Sequence, residues 1–260
     1  MKKILFLLSA VTLAGGGAMA APERGQWSVR VLGGGDLPAG GRLHAGTQAP
    51  IANLGVLDPA LEGLAGTLDI MPRGNQRFYT GGLSGSFELG YAIRDGGEIF
   101  AGFRYQGNKP GEAVVGTAIV PAAGVELPVF GRFDRLRAYT GEVGYRHYFM
   151  RESVIRPYVA GRAGVTFTDS IDATFTVPGT AIVLPDTPFY RNSVSATLGG
   201  DIGAAIALTK GLDLNLETGV RWTSGLRTDD AALPSLGLQD VNQAGARVDV
   251  PIRAGFTVRF

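Results

Sequence analysis

Apolar and polar residues exchange places at every second position over long stretches of the chain, and helical spacing is nearly absent after residue 20. In 247–260 one face carries Val248, Val250, Ile252, Ala254, Phe256, Val258 and Phe260. The other carries Arg247, Asp249, Pro251, Arg253, Gly255, Thr257 and Arg259. In 212–224 Leu212, Leu214, Leu216, Val220 and Trp222 oppose Asp213, Asn215, Glu217, Gly219 and Arg221 in the same way. The pattern predicts eight strands: 26–34, 78–93, 98–107, 134–149, 158–168, 193–208, 212–224 and 247–260. Their connections are 43, 4, 26, 8, 24, 3 and 22 residues long, so long and short alternate throughout. Asp95-Gly96-Gly97 and Lys210-Gly211 are tight-turn sequences.

A soluble barrel puts its apolar face inside and its charges outside, whereas a membrane barrel inverts the two. The segregated loop lengths and the even strand number favour the second arrangement over a lipocalin-like soluble barrel. The expectation is an all-β fold: an eight-stranded antiparallel up-and-down transmembrane β-barrel with short periplasmic turns and long external loops. Trp27, Tyr79, Tyr91, Tyr105, Tyr139, Tyr145, Phe149, Trp222 and Phe260 all fall on the apolar face in this reading. Trp27, Tyr91, Tyr139, Tyr145 and Trp222 are the candidate aromatic girdle, where an apolar ring and a polar edge suit the lipid–water boundary. The stretch 134–149 is read with Thr140, Glu142, Gly144, Arg146 and Tyr148 inward. That leaves Arg135, Arg137 and His147 outward, at less cost than pressing Glu142 and Arg146 against lipid.

Residues 1–20 differ from the rest. Lys2 and Lys3 precede an apolar run from Ile4 to Ala14, and Ala18-Met19-Ala20 fits a small-x-small cleavage site. The reading is a cleaved Sec signal peptide over 1–20 and a barrel domain over 21–260. The alternative, an N-terminal membrane anchor, is disfavoured by the shortness of the run.

Composition narrows the chemistry. The 260 residues include no cysteine and only two histidines, His44 and His147, and the net charge is +1. Disulfides, zinc ribbons, thiol nucleophiles and multi-histidine metal sites are excluded, no cofactor is expected, and no electrostatic case for nucleic acid exists. Lysine occurs only at positions 2, 3, 109 and 210; the remaining bases are arginine. By parity the inward acids are Glu88, Glu98, Glu142, Asp201, Asp213, Glu217 and Asp249. The inward bases are Arg30, Arg104, Arg146, Arg162, Arg221, Arg247, Arg253 and Arg259. Buried charges must pair, and the planar guanidinium fork suits carboxylates. The candidate lumen network is therefore Arg30, Glu88, Arg104, Glu142, Arg146, Arg162, Asp201, Glu217, Arg221, Asp249 and Arg253. An ion-selective pore is the alternative use of the same residues, and the narrow interior of an eight-stranded barrel favours the packed network. Asp229-Asp230 lacks the spacing of a calcium loop. Gly33-Gly34-Gly35 has no following lysine or helix and is no phosphate loop.

The long loops are less polar than loops usually are. AVVGTAIV (113–120) and GVELPVF (124–130) flank Pro121-Ala122-Ala123, and the segments 173–177 and 180–184 flank Pro178-Gly179. The string Gly-Thr-Ala-Ile-Val occurs at 116–120 and again at 179–183. These segments read as hairpins that continue the strands beyond the membrane and cap the barrel, with a short helix around Asp58–Gly66 in the first loop. Contact with lipopolysaccharide, a protein or a small hydrophobic ligand is the alternative.

The ordered strands, Arg156-Pro157-Tyr158-Val159-Ala160-Gly161 and the alternation from Arg253 to Phe260 together resemble the outer-membrane β-barrel family that includes the OmpA-like and OmpX-like transmembrane domains. The resemblance covers the mature chain and implies the outer membrane of a Gram-negative bacterium. It implies that Phe256, Val258 and Phe260 form a signal read by the outer-membrane assembly machinery, and that lipid and lipopolysaccharide surround a monomeric barrel. A C-terminal peptidoglycan-binding domain is not expected, so a cell-wall anchoring role is not carried over. Members serve as structural proteins, adhesins or small-molecule conduits. The expected role here is structural or surface-interaction and not enzymatic; the alternative is a conduit or binding site for a small hydrophobic solute. A lipid-modifying enzyme comes third: lipid A deacylases of this architecture resemble one another through His-x-Ser, and here His147 is followed by Tyr148 and Phe149.

Overall fold

The computed structural model describes residues 21–229, 237–238 and 241–260. The expected signal peptide and Asp230 lie outside the described residues. In chain order the strands are β1 (Trp27–His44), β2 (Thr47–Ile51), β3 (Gly66–Ile70), β4 (Arg73–Gly74), β5 (Tyr79–Arg94), β6 (Gly97–Pro110), β7 (Glu112–Val120), β8 (Val125–Phe133), β9 (Leu136–Tyr148), β10 (Ile155–Thr168), β11 (Ile171–Thr176), β12 (Val183–Tyr190), β13 (Ser193–Ala207), β14 (Leu212–Thr223) and β15 (Arg247–Arg259).

Eight of these form a closed antiparallel barrel in the order β1-β5-β6-β9-β10-β13-β14-β15. Closure is made by β1 against β15, in register from Ser28 opposite Arg259 to Gly41 opposite Arg247. Gly34 is required in that seam, because a Cβ there would run into the Ile252 carbonyl of β15. Of the Gly33-Gly34-Gly35 run, Gly34 serves close strand approach and Gly35 lies near the Gly82 carbonyl, whereas Gly33 has open space around it. One barrel end carries the tight connections, including the turn at Asp95-Gly96, where Gly96 has φ +71°. Residues 21–26 lie across this end. The Ala21 amide donates to the Arg151 carbonyl (2.8 Å) and the Gly96 amide to the Pro22 carbonyl (2.8 Å). Ala21 packs against Tyr148, Tyr158 and Ala205, so the mouth is stoppered by the chain's own segment.

The faces are inverted relative to a soluble protein. Arg30 and Arg253 inside the barrel are 1% and 2% exposed, whereas Leu83 and Ile202 on its outer wall are 74% and 61% exposed. Trp27, Tyr91 and Tyr145 ring the tight-turn end of the outer wall, with the Trp27 and Tyr91 rings 4.9 Å apart. Tyr139 and Trp222 lie towards the opposite end, Tyr139 beside Tyr105 at 5.4 Å. Arg137 points outward, as the parity of β9 requires, and Arg135, just before the strand, is also exposed.

At the other end the loops form a second antiparallel sheet, ordered β12-β11-β8-β7-β3-β2. The two hairpins therefore do more than prolong the barrel strands: β7 pairs with β3 and β8 with β11. The helix expected around Asp58–Gly66 is two 3-10 turns, Leu54–Val56 and Pro59–Leu61, the second capped by the Asp58 carboxylate accepting from the Ala60 amide at 2.9 Å. One face of the sheet buries an apolar core built on Leu43, Phe78, Val115, Val129, Phe133 and Phe189, and this core is continuous with Leu136 and Ala138 at the barrel rim. Phe78 and Phe133 meet edge-on at 4.8 Å, and Phe133 and Phe189 at 5.0 Å.

Tyr79 corrects the sequence reading. It is buried in this core and donates to the Asp134 carbonyl at 3.0 Å instead of facing outward. The cause is a register shift between Thr80 and Gly82 in the β5–β6 pairing. One extra residue moves everything before it to the opposite face.

Candidate functional site

The lumen is a three-dimensional ion-pair lattice. Arg162 of β10 sits at its centre, 3.0 Å from Glu88 of β5, 2.5 Å from Asp201 of β13 and 3.6 Å from Glu217 of β14, and it is hydrogen-bonded to Glu142 of β9. Arg146 binds Glu98 at 3.0 Å and pairs with Glu88. Arg253 binds Glu217 at 2.7 Å, and Arg221 holds Asp201 with both terminal nitrogens at 2.6 and 2.9 Å. Arg30 reaches Glu217 at 3.2 Å and Asn215 at 2.6 Å. The guanidinium groups also stack on lumen rings: Arg30 over Tyr158 at 4.8 Å, Arg146 and Arg162 over Phe100 at 4.6 and 4.9 Å. Small residues make room for these long side chains. A Cβ at Gly199 would press on Arg221, and one at Gly203 on the Tyr158 ring.

All eleven residues of the candidate network are buried in the lumen, with Arg104 and Asp249 in the layer nearest the external sheet beside Arg247. Two members were missed. Asp36 pairs with Arg104 at 2.6 Å, and Arg156 with Asp213. Both stand just beyond strand limits drawn too short, 26–34 and 158–168, and alternation continued through Gly35 and Pro157 would have found them. With these two, the buried lumen charges among the described residues are eight carboxylates and nine guanidinium groups.

Phe256 and Phe260 are exposed on the outer wall of the closing strand, with Val258 half-buried between them. Phe260 also exchanges backbone hydrogen bonds with Trp27, 2.9 and 3.0 Å long. His147 lies on the outer wall against Phe149, ring centroids 4.8 Å apart. Asp229 pairs with Arg191 at 3.4 Å. Among the described residues no group of three or more acidic or histidine side chains is placed to hold a metal ion.

The external sheet encloses a second feature, an apolar chamber between its inner face and the barrel mouth. His44, at the end of β1 above the barrel seam, lines it with Ile70, Val115, Val129, Ile182 and Phe189. His44 is buried, its ring stacked on Phe133 at 6.2 Å. Its Nδ1 is 3.0 Å from the Ala45 carbonyl oxygen, and its Nε2 has no partner. Burial pushes the imidazole below the ordinary histidine range; the Ala45 carbonyl pulls it back, and Arg73 pushes it further down.

No protein-family model and no curated protein matches the chain. Among solved structures it is similar to Neisserial surface protein A, with 15% identity over 91% of this chain and 100% of that one, TM-score 0.42. It is similar to OprG from Pseudomonas aeruginosa, with 14% identity over 92% and 98% of the two chains, TM-score 0.39. It is also similar to Ail of Yersinia pestis, with 12% identity over 91% and 99%, TM-score 0.39. The barrel itself is established by the pairing of β1 with β15, which closes the sheet.

Proposed function

We propose that this protein is an integral barrel of a Gram-negative outer membrane, sealed in its lumen and serving a structural or surface-interaction role through its external sheet. The inversion of the wall carries the reading. Side chains such as Leu83, Phe87, Val165 and Ile202 stand exposed around the barrel while its charges are buried within. In water that arrangement loses the hydrophobic contribution of the wall and desolvates every charge; in lipid it satisfies both faces. The role is non-enzymatic, and the barrel is monomeric, with lipid and lipopolysaccharide as its surroundings. Phe256, Val258 and Phe260 on the closing strand are the residues offered to the assembly machinery.

Cell fractionation together with planar-bilayer recording tests this. The protein is expected in the outer-membrane fraction and is expected to pass no steady current. Recovery from the soluble periplasm would overturn the membrane reading, and stepwise conductance would overturn the sealed lumen.

A second reading, binding of a small hydrophobic solute, is favoured by the apolar chamber of the external sheet. Its conduit form has less support, because guanidinium–carboxylate bonds span the lumen from wall to wall.

A further inference from the structure

On one side of the barrel the outer wall gathers positive charge just beyond the aromatic girdle. Tyr105 of β6 stands opposite Tyr139 of β9, and the next outward rung pairs Gly107 with Arg137. One rung further out are Lys109 on β6 and Arg135, just before β9. Outward positions recur about every 7 Å along a strand. Arg137 therefore stands one such step beyond the tyrosines, and Lys109 and Arg135 stand two. All three cations are exposed. The outward ends of β13, β14 and β15, by contrast, carry Val194, Trp222 and Val248.

The three cations are not balanced within the fold. Among the described residues the exposed ion pairs are Arg151–Asp95 and Arg191–Asp229, and neither lies here. Asp134 and Asp169 are the nearest carboxylates along these strands. They bond through their backbones, the Asp134 amide to the Asp172 carbonyl at 2.9 Å and the Asp169 amide to the Arg137 carbonyl at 3.1 Å. Like charges on neighbouring strand positions repel, and an anion among them removes that cost. Gly107 leaves a gap for it. A Cβ there would lie 2.7 Å from the Tyr105 hydroxyl, so that hydroxyl reaches over Gly107 on the side of the cations. One phenolic donor and three cations thus stand around a single exposed spot. On the membrane side of this spot the wall is apolar. Phe167 is paired with Tyr139 and Phe103 stacks on it at 6.4 Å, the two phenylalanines being 42% and 52% exposed.

We infer that Tyr105, Lys109, Arg135 and Arg137 bind the phosphate of an outer-leaflet glycolipid whose acyl chains lie along Phe103 and Phe167. The inference rests on the membrane reading and deepens it, giving the surrounding lipopolysaccharide a fixed place on the wall. A phosphate monoester carries close to two charges and three acceptor oxygens, which suits guanidinium forks and an ammonium acting together. The position selects a lipid as the bearer. Tyrosine rings at a membrane boundary sit at the level of the head groups, and the cations follow them on the same face of the same strands, continuous with the apolar wall.

The test uses the protein folded in phosphatidylcholine nanodiscs doped with lipid A or with its phosphate-free form, and native mass spectrometry counts the lipids it retains. Lipid A is expected to be enriched about tenfold over the phosphate-free form, the factor for one charge-assisted hydrogen bond. The double variant Lys109→Gln/Arg137→Gln is expected to remove that enrichment. Arg151→Gln, which deletes an exposed arginine at the tight-turn end, is expected to keep it. Retained resistance of each variant to denaturation on cold gel electrophoresis shows that the barrel is intact. Equal retention of the two lipids by the intact barrel overturns the phosphate site and leaves the membrane reading in place. Equal loss in Arg151→Gln shows that charge acts diffusely and overturns the site as well. Glucosamine 1-phosphate, added without acyl chains, is expected to bind far more weakly than lipid A; equal binding overturns the lipid as bearer. Failure of the unaltered protein to fold in bilayers overturns the membrane reading and this inference with it.

Discussion

Arg30 donates a hydrogen bond to the Tyr158 hydroxyl, 3.1 Å away, across the full width of the barrel. Their strands, β1 and β10, are four apart in a ring of eight. Tyr158 in turn donates to Glu217 at 2.9 Å, and Arg30 binds that same carboxylate. Opposite walls are thus cross-braced through one tyrosine and one acid. An eight-stranded interior is narrow enough for such bonds to be made directly.

Arg162 is where the lattice is most sensitive. Arg162→Leu leaves Glu142 with no other arginine within ion-pair distance among the described residues, whereas Glu88 keeps Arg146 and Asp201 keeps Arg221. An uncompensated buried carboxylate costs about 3–5 kcal/mol. Urea unfolding in lipid is expected to show that loss, and the double variant Arg162→Leu/Glu142→Gln to recover most of it. An additive double variant would mean that the two side chains act separately.

The outer wall gives the opposite dependence. Leu216 is half exposed on β14, and its neighbour Glu217 points into the lumen. Leu216→Arg is expected to cost about 2–4 kcal/mol in a bilayer if the site is at mid-depth. Glu126→Arg, on the exposed part of the external sheet, is expected to change stability within about 0.5 kcal/mol. Refolding free energies in phospholipid vesicles compare the two, and equal small effects would argue that the wall is wet.

The barrel was legible because period-two alternation is a local property and the loop lengths segregate. Legibility stopped where locality did. Asp36 follows three glycines, which present no side chain to mark a face, and Arg156 precedes a proline that reads as a strand start. Tyr79 kept the formal parity of its strand, and a bulge reversed it. The external sheet was recognisable as apolar loops packing into a cap, but its pairings join segments far apart: β3 with β7, β8 with β11. His44 had no sequence signal at all. Its significance comes from Phe78, Phe133 and Phe189, brought around it from three other parts of the chain.

Phe133 ties that external core together, touching the rings of Phe78, Phe175 and Phe189. Phe133→Ala removes the shared partner and is expected to destabilise the external sheet by about 3–5 kcal/mol. The barrel strands draw on separate pairings, so the loss should be local. Hydrogen exchange is expected to accelerate in 112–133 and 171–190 and to stay slow in β5 and β14; uniform acceleration would show that the two layers unfold together.

His44 makes the same core sensitive to acid. Its imidazole is held below the ordinary histidine value of about 6.5, first by burial, against the opposing pull of the Ala45 carbonyl, and then by Arg73. The unfolded segment therefore binds a proton at a pH where the folded one does not. Stability contributed by the neutral ring is fully present above pH ~6.5 and declines as pH falls through the folded-state value. Asp172 works in the other direction at lower pH: desolvation, then Asp134, Asp186 and Asp229, push its carboxyl upward, so the folded state holds that proton more tightly. Between pH 8 and about 5.5 the histidine effect should dominate. Hydrogen exchange in 112–133 is expected to quicken over that interval, after correction for intrinsic exchange rates, while β14 is unchanged. His44→Gln, which has no proton to gain, is expected to flatten the response. An equal slope in the variant would assign the acid sensitivity to other groups of the external sheet.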